Sequence, residues 1–178
     1  MSNNKLYSNQ RGITLLELVI ALGIAALVSS SASVSIVTLM RVSGENSSHM
    51  SVLQEVQNSG YWVKRDGVKA HAVTIDDNLS TPDNEYITMD WTDWDGTVNR
   101  VIYTLEEMPG GMCDFIRTHY TFDGANWIRQ DTLLVAEFID DAATSRTWDG
   151  SVLTLNVTAQ VGDQIEARTY QAMPRPLA

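Results

Sequence analysis

The feature that most restricts this chain is a run of 28 residues, Ile13 to Met40, that holds a single charge, Glu17, and no proline. A bilayer core takes about 20 helical residues, so the run can cross one with several to spare. Lys5 and Arg11 lie ahead of it. Behind it, 10 Lys+Arg face 21 Asp+Glu, a net charge of −11. By the positive-inside rule this places the N-terminus in the cytoplasm and everything after Met40 outside it.

Glu17 is the unusual residue. A carboxylate in mid-membrane costs roughly 2.5–3.5 kcal/mol on insertion scales, so an acid in such a run needs a partner. If the chain is cut after Gly12, the new amine lies on Ile13, and Glu17 becomes the fifth residue, about one helical turn away. Glu17 could then pair with its own amine or with that of a neighbour in a bundle of parallel helices. Only the second pairing fixes the axial offset between subunits, because a wrong register leaves a charge unpaired in an apolar core.

The segment Arg11-Gly12-Ile13-Thr14-Leu15-Leu16-Glu17 and the apolar helix after it resemble the precursors of the type IV pilin and type II secretion pseudopilin superfamily. The resemblance implies cleavage between Gly12 and Ile13 by a prepilin peptidase, methylation of the Ile13 amine, and assembly through Glu17 and the helix. Small residues from Ser29 to Ser35 leave two competing readings, cleavage by ordinary signal peptidase near Ser31 or Ser33, or a simple one-span anchor. Glu17 counts against both. Many major pilins carry a proline part-way along this helix, whereas the first proline here is Pro82. Together with a fainter likeness of Tyr61–Ala70 and Val101–Leu105 to J-type pseudopilins and W-type minor pilins, this favours a minor subunit.

Past Met40 the pattern becomes amphipathic, with Met50, Leu53, Val56, Gly60 and Val63 at steps of three or four. Arg41–Asn46 is the expected soft joint, while Gly60 and Gly67 mark close packing or the helix end. Strands are expected at 72–75, 86–91, 100–105, 114–122, 133–139, 152–159 and 165–172, with glycine turns at Gly96, Gly110-Gly111, Gly124, Gly150 and Gly162. The expected fold is α+β, one long helix on an antiparallel sheet. The expected domains are a leader (1–12), a membrane and filament-core helix (13–40), an amphipathic continuation (41–70) and a β-rich head (71–178).

The head offers little chemistry. Asp90, Asp93 and Asp95 precede Gly96 and suggest either a calcium loop or a solvated turn, and they lack the spacing and terminal glutamate of an EF-hand. Asp76, Asp77 and Asp140, Asp141 read as solvated strand ends. Cys113 and His119 stand six residues apart, which in an extended strand separates them by about 20 Å, too far for a nucleophile and its base. Neither an enzyme nor a cofactor is expected. Five tryptophans either cover a thin sheet or form a ligand surface, with Trp91 and Trp94 the candidates for exposure.

The expected role is therefore structural, a subunit of a type IV pilus or pseudopilus. The alternative is an adhesin or ligand-binding surface protein mounted on the same helix. The expected partners are other pilin or pseudopilin subunits, prepilin peptidase, the inner-membrane assembly machinery and, before assembly, the lipid bilayer. The acidic balance disfavours nucleic acid. The expected location is the inner membrane, single-pass, followed by an extracellular or periplasmic filament.

Overall fold

The computed structural model describes residues 14–75 and 85–175. The elements run α1 (Leu15–Lys69), β1 (Ala72–Thr74), β2 (Glu85–Thr92), β3 (Val98–Glu107), β4 (Cys113–Phe122), β5 (Trp127–Ile139), β6 (Ser145–Trp148), β7 (Leu153–Val161) and β8 (Gln164–Ala172). The fold is α+β, a long N-terminal helix and an eight-stranded antiparallel sheet. The chain divides into two compact units, Met1–Gly44 and Glu45–Ala178.

In the first unit every described residue is exposed, including Leu15, Leu16, Leu18, Val19, Ile20, Leu22 and Ile24. This stretch is long and apolar enough to cross a membrane. The serine-rich part is helical throughout. Hydroxyls turn back onto the preceding turn: Ser30 Oγ donates to the Ala26 carbonyl (2.7 Å), Ser31 to Val28 (2.9 Å), Ser33 to Ser29 (2.9 Å), Ser35 to Ser31 (3.0 Å) and Thr38 Oγ1 to Val34 (2.9 Å). Polar side chains thereby satisfy themselves inside an apolar helix without breaking it.

The expected joint at Arg41–Asn46 is helical as well, and the division between the two units falls inside it, at Gly44 and Glu45. Beyond it, α1 buries Val52, Val56, Ser59, Gly60, Val63, Asp66 and Gly67 against the sheet. The stripe read from the sequence was partly misplaced: Met50 is exposed and Leu53 half-buried, because the inward line runs through Val52 and Ser59. Gly60 and Gly67 both lie inside the helix, at close approaches to the sheet. A Cβ on Gly67 would stand 2.6 Å from Cβ of Ala172, and one on Gly60 would run into the Tyr170 ring.

The sheet order is β1-β2-β3-β4-β5-β7-β6, with β8 also paired to β7. Its helix-side core holds Ile87, Met89, Val101, Tyr103, Leu105, Phe115, Ile139, Leu153, Leu155, Val157 and Ala159. The alternation read in Val152–Ala159 is realised, with Leu153, Leu155, Val157 and Ala159 all buried.

Strands β4 and β5 differ in length, 10 against 13 residues, yet pair end to end. Register shifts at three points of that ladder take up the difference, and such bulges bend a strand and strengthen its twist. At one of them Phe138 has φ of 58°, the left-handed region that a bulky residue rarely enters. The neighbouring Glu137 N–H donates to Oε2 of Glu55 on α1 at 2.8 Å, so a helix side chain holds the bulge. Sequence reading began this strand at Leu133 and missed β6. Both segments are polar or unpatterned, and pairing with β4 and β7 makes them strands.

Candidate functional site

Two arrangements of polar groups stand out, one at the start of α1 and one where α1 meets the sheet. Gly12 and Ile13, the expected cleavage and methylation positions, lie outside the described residues. Glu17 is described, and its environment is a reciprocal helix cap. Its Oε2 accepts from the Thr14 N–H (3.0 Å) and the Thr14 hydroxyl (3.0 Å), while the Glu17 N–H donates to Thr14 Oγ1 (3.2 Å). This is a capping box in which Thr14 is the N-cap and Glu17 the third helical residue, a pattern legible in Thr14-Leu15-Leu16-Glu17 that the sequence reading passed over. Thr14 thus provides a local partner for the carboxylate besides any amine on Ile13.

The second arrangement is buried. Asp66 of α1 (1% exposed) faces Arg117 of β4 (5% exposed), with Arg117 Nε 2.6 Å from Asp66 Oδ2 and a guanidinium nitrogen 3.4 Å from Oδ1. The Tyr103 hydroxyl on β3 donates to Asp66 Oδ2 at 2.7 Å. Arg117 also reaches Asp131 on β5 at 3.5 Å, and its guanidinium carbon lies 5.1 Å from the ring centre of Trp62 on α1. One carboxylate of the helix therefore ties two strands, with its charge matched and its lone pairs used, the condition for tolerating a buried ion pair.

The protonation states follow from the surroundings. Burial and then the Asp66 charge drive the Tyr103 hydroxyl well above its ordinary value, so it remains a donor. Burial alone would pull Arg117 down, but the hydrogen bond and charge of Asp66 outweigh it, and the guanidinium stays charged.

A polar chain continues from this pair toward the β2–β3 turn. His119 Nδ1 lies 3.7 Å from the same Asp131 oxygen that Arg117 approaches, its Nε2 lies 2.9 Å from Asn99 Oδ1, and its ring stacks on Trp91 with centroids 5.8 Å apart. Asn99 donates its amide hydrogens to Asp93 Oδ2 (2.9 Å) and the Thr97 carbonyl (3.1 Å). Its oxygen must then accept, which places the His119 proton on Nε2. Burial, followed by the Arg117 charge, lowers the His119 pKa and keeps the ring neutral near pH 7.

The acidic loop does not gather its carboxylates. Asp90 forms a two-point ion pair with Arg100 (2.8 and 3.0 Å), Asp93 accepts from Asn99, and Asp95 Oδ1 accepts from the Thr97 N–H at 2.9 Å. Among the described residues no three His, Cys, Asp or Glu side chains form a group able to hold a metal ion. Asp76 and Asp77 lie outside the described residues. The expectation for the loop tryptophans was half right: Trp94 is 98% exposed, but Trp91 is 6% exposed and covered by His119. Cys113 and His119 share β4, with Cys113 buried.

Residues 7–33 match the family model for the prokaryotic N-terminal methylation motif, the hallmark of type IV pilin and pseudopilin precursors. No curated protein and no solved structure matches the chain. The motif and the long apolar helix support a type IV pilin or pseudopilin precursor, a structural subunit rather than an enzyme, that associates with other pilin subunits and prepilin peptidase. They also fit anchoring in a membrane before assembly.

Proposed function

We propose that this chain is a minor subunit of a type IV pilus or type II secretion pseudopilus, stored in the inner membrane with its head outside the cytoplasm. Prepilin peptidase cuts it between Gly12 and Ile13, the Ile13 amine is methylated, and the apolar half of α1 then enters the filament core. The observation that carries the reading is the methylation motif at 7–33 running directly into an exposed apolar helix. In a bilayer or a bundle of like helices, this unit finds the cover that it lacks alone.

The minor position draws support from charge. A main subunit must tile against copies of itself, and like charges facing one another at such contacts are destabilising. A head of net −11 meets that demand only by keeping its charge off the self-contacts. Quantitative mass spectrometry of sheared filaments tests this: the chain should be present well below the most abundant pilin. If it is itself the most abundant, the minor assignment is wrong.

A further inference from the structure

Among the described residues the sheet leaves edges open at β1, at the four-residue β6, along part of β5 and at β8, and they differ in what they can accept. Strand β1 has three residues, and beyond its pairing with β4, β5 meets β7 only at Ile139. The open part of β5 carries the bulges described above, which disrupt the regular spacing of its outward amides and carbonyls. Strand β8 is different. It pairs with β7 over nine residues, Gln164–Ala172, without a register shift, and β7 is its only strand partner among the described residues. Its other edge is a regular row of backbone donors and acceptors.

Beside that edge lies an open groove of 760 Å³, lined by Lys64 and Val68 of α1 and by Thr169, Tyr170, Gln171, Ala172 and Met173. Gly60 and Gly67 bring α1 down onto Tyr170 and Ala172, so the groove forms at the margin where the helix stops covering β8. Val68 and Met173 are exposed there, and Lys64 is the one charged side chain in the lining, a cation in a head of net −11.

We propose that this edge and groove receive an extended segment of a different subunit, which adds as a strand beside β8 and places a carboxylate against Lys64. The proposal names the partner segment of the filament reading above and rests on it. The unpaired backbone row specifies an extended occupant, since only a strand returns donor and acceptor at each alternate residue. Lys64 specifies the charge, and the apolar margin of Val68 and Met173 accepts a side chain next to it. A second copy fits poorly: antiparallel pairing of β8 with itself needs a two-fold axis normal to the sheet. Subunits that repeat along a filament in one orientation are not related by such an axis.

The test uses the full-length protein in cells that carry its assembly machinery, with a benzophenone amino acid replacing Val68 or Gln171. Light should link either position to another pilin-type subunit, with the adduct mapping to an extended peptide within two residues of an Asp or Glu. Lys64→Glu should lower the yield at least about tenfold while Lys64→Arg keeps it, as a desolvated charge contact requires. Exchange of the Thr169–Met173 amides should slow in assembled protein and not in dispersed subunits. A link to a second copy of this chain, a link to a helical segment, or a yield indifferent to Lys64→Glu overturns the proposal. The same samples are weighed intact. A correctly processed subunit with no adduct overturns strand addition alone, whereas an unprocessed one overturns the filament reading beneath it.

Discussion

The two halves of α1 are built from one continuous helix and obey opposite rules. From Leu15 to Gly44 the helix is predominantly apolar and exposed on every side, and the hydroxyls of Ser30, Ser31, Ser33, Ser35 and Thr38 bond within the helix. From Glu45 to Lys69 it is amphipathic, buries one line of residues on the sheet, and sends Asp66 into the strands. A helix apolar all round requires a membrane or other helices, whereas an amphipathic one requires a single partner face. The second half has that face within its own chain; the first does not. Stability of the head and assembly of the subunit should therefore respond to different mutations.

The largest expected effect on the head is at the buried pair. Asp66→Ala leaves the buried Arg117 guanidinium with only the exposed Asp131, 3.5 Å away, as a counter-charge, and should cost about 3–5 kcal/mol in chemical denaturation. Replacing both partners with apolar residues, Asp66→Leu with Arg117→Met, should recover much of that loss, because it is the stranded charge that is expensive. Tyr103→Phe, which removes one donor to Asp66, should cost about 1–3 kcal/mol.

Next come the glycines, which sharpen the contrast within one helix. Gly67→Ala pushes a methyl against Cβ of Ala172 and should destabilise the head by about 1–3 kcal/mol despite the better helix propensity of alanine. Gly23→Ala meets nothing within 4 Å and should leave thermal unfolding of the head unchanged. Equal effects at the two positions would erase the distinction between the halves.

A smaller effect should appear with pH. The His119 pKa is lowered in the folded head, chiefly by burial and then by the Arg117 charge, so below about pH 6.5 the unfolded chain binds the proton first. Stability contributed by His119 should be complete above that pH and fall as acid is added through the folded value. His119→Gln, which can still donate to Asn99, should flatten the denaturation midpoint between pH 7 and 5.5. A midpoint that falls as steeply in the variant assigns the dependence to other groups.

The smallest effect on the head, and the most selective on assembly, should come from Glu17→Ala. It removes a capping box in the first unit, and the loss of about 1 kcal/mol of local helix stability has no route into the sheet. Head unfolding should match the parent, while methylation or incorporation into filaments falls. Normal filaments with normal methylation would remove Glu17 from assembly.

The difference between the halves also explains what could be read from sequence. The apolar run, the glycine turns and the alternation in β7 were legible because each is a local pattern imposed by one-dimensional physics. Gly96, Gly110, Gly111, Gly124, Gly150 and Gly162 all adopt positive φ where turns were expected. The start of β5 and all of β6 were not legible, since ladder pairing with distant strands defines them. The buried stripe was displaced because Ser59 and Asp66 carry no apolar signal. Asp66 is buried for its partners on β3 and β4, 37 and 51 residues away, and no local window contains them. Trp91 and Trp94 look alike in sequence as candidates for exposure, and only the register of β2 on β3 and the stacking of His119 separate the two.

The central claim, that the first half of α1 is a processed filament helix, is tested most directly by the intact mass of protein extracted from membranes of cells with an active prepilin peptidase. The account predicts loss of Met1 to Gly12 and one added methyl group on Ile13. A chain that begins between Ser29 and Ser35, or that keeps Met1 to Gly12 in the presence of the peptidase, would contradict it.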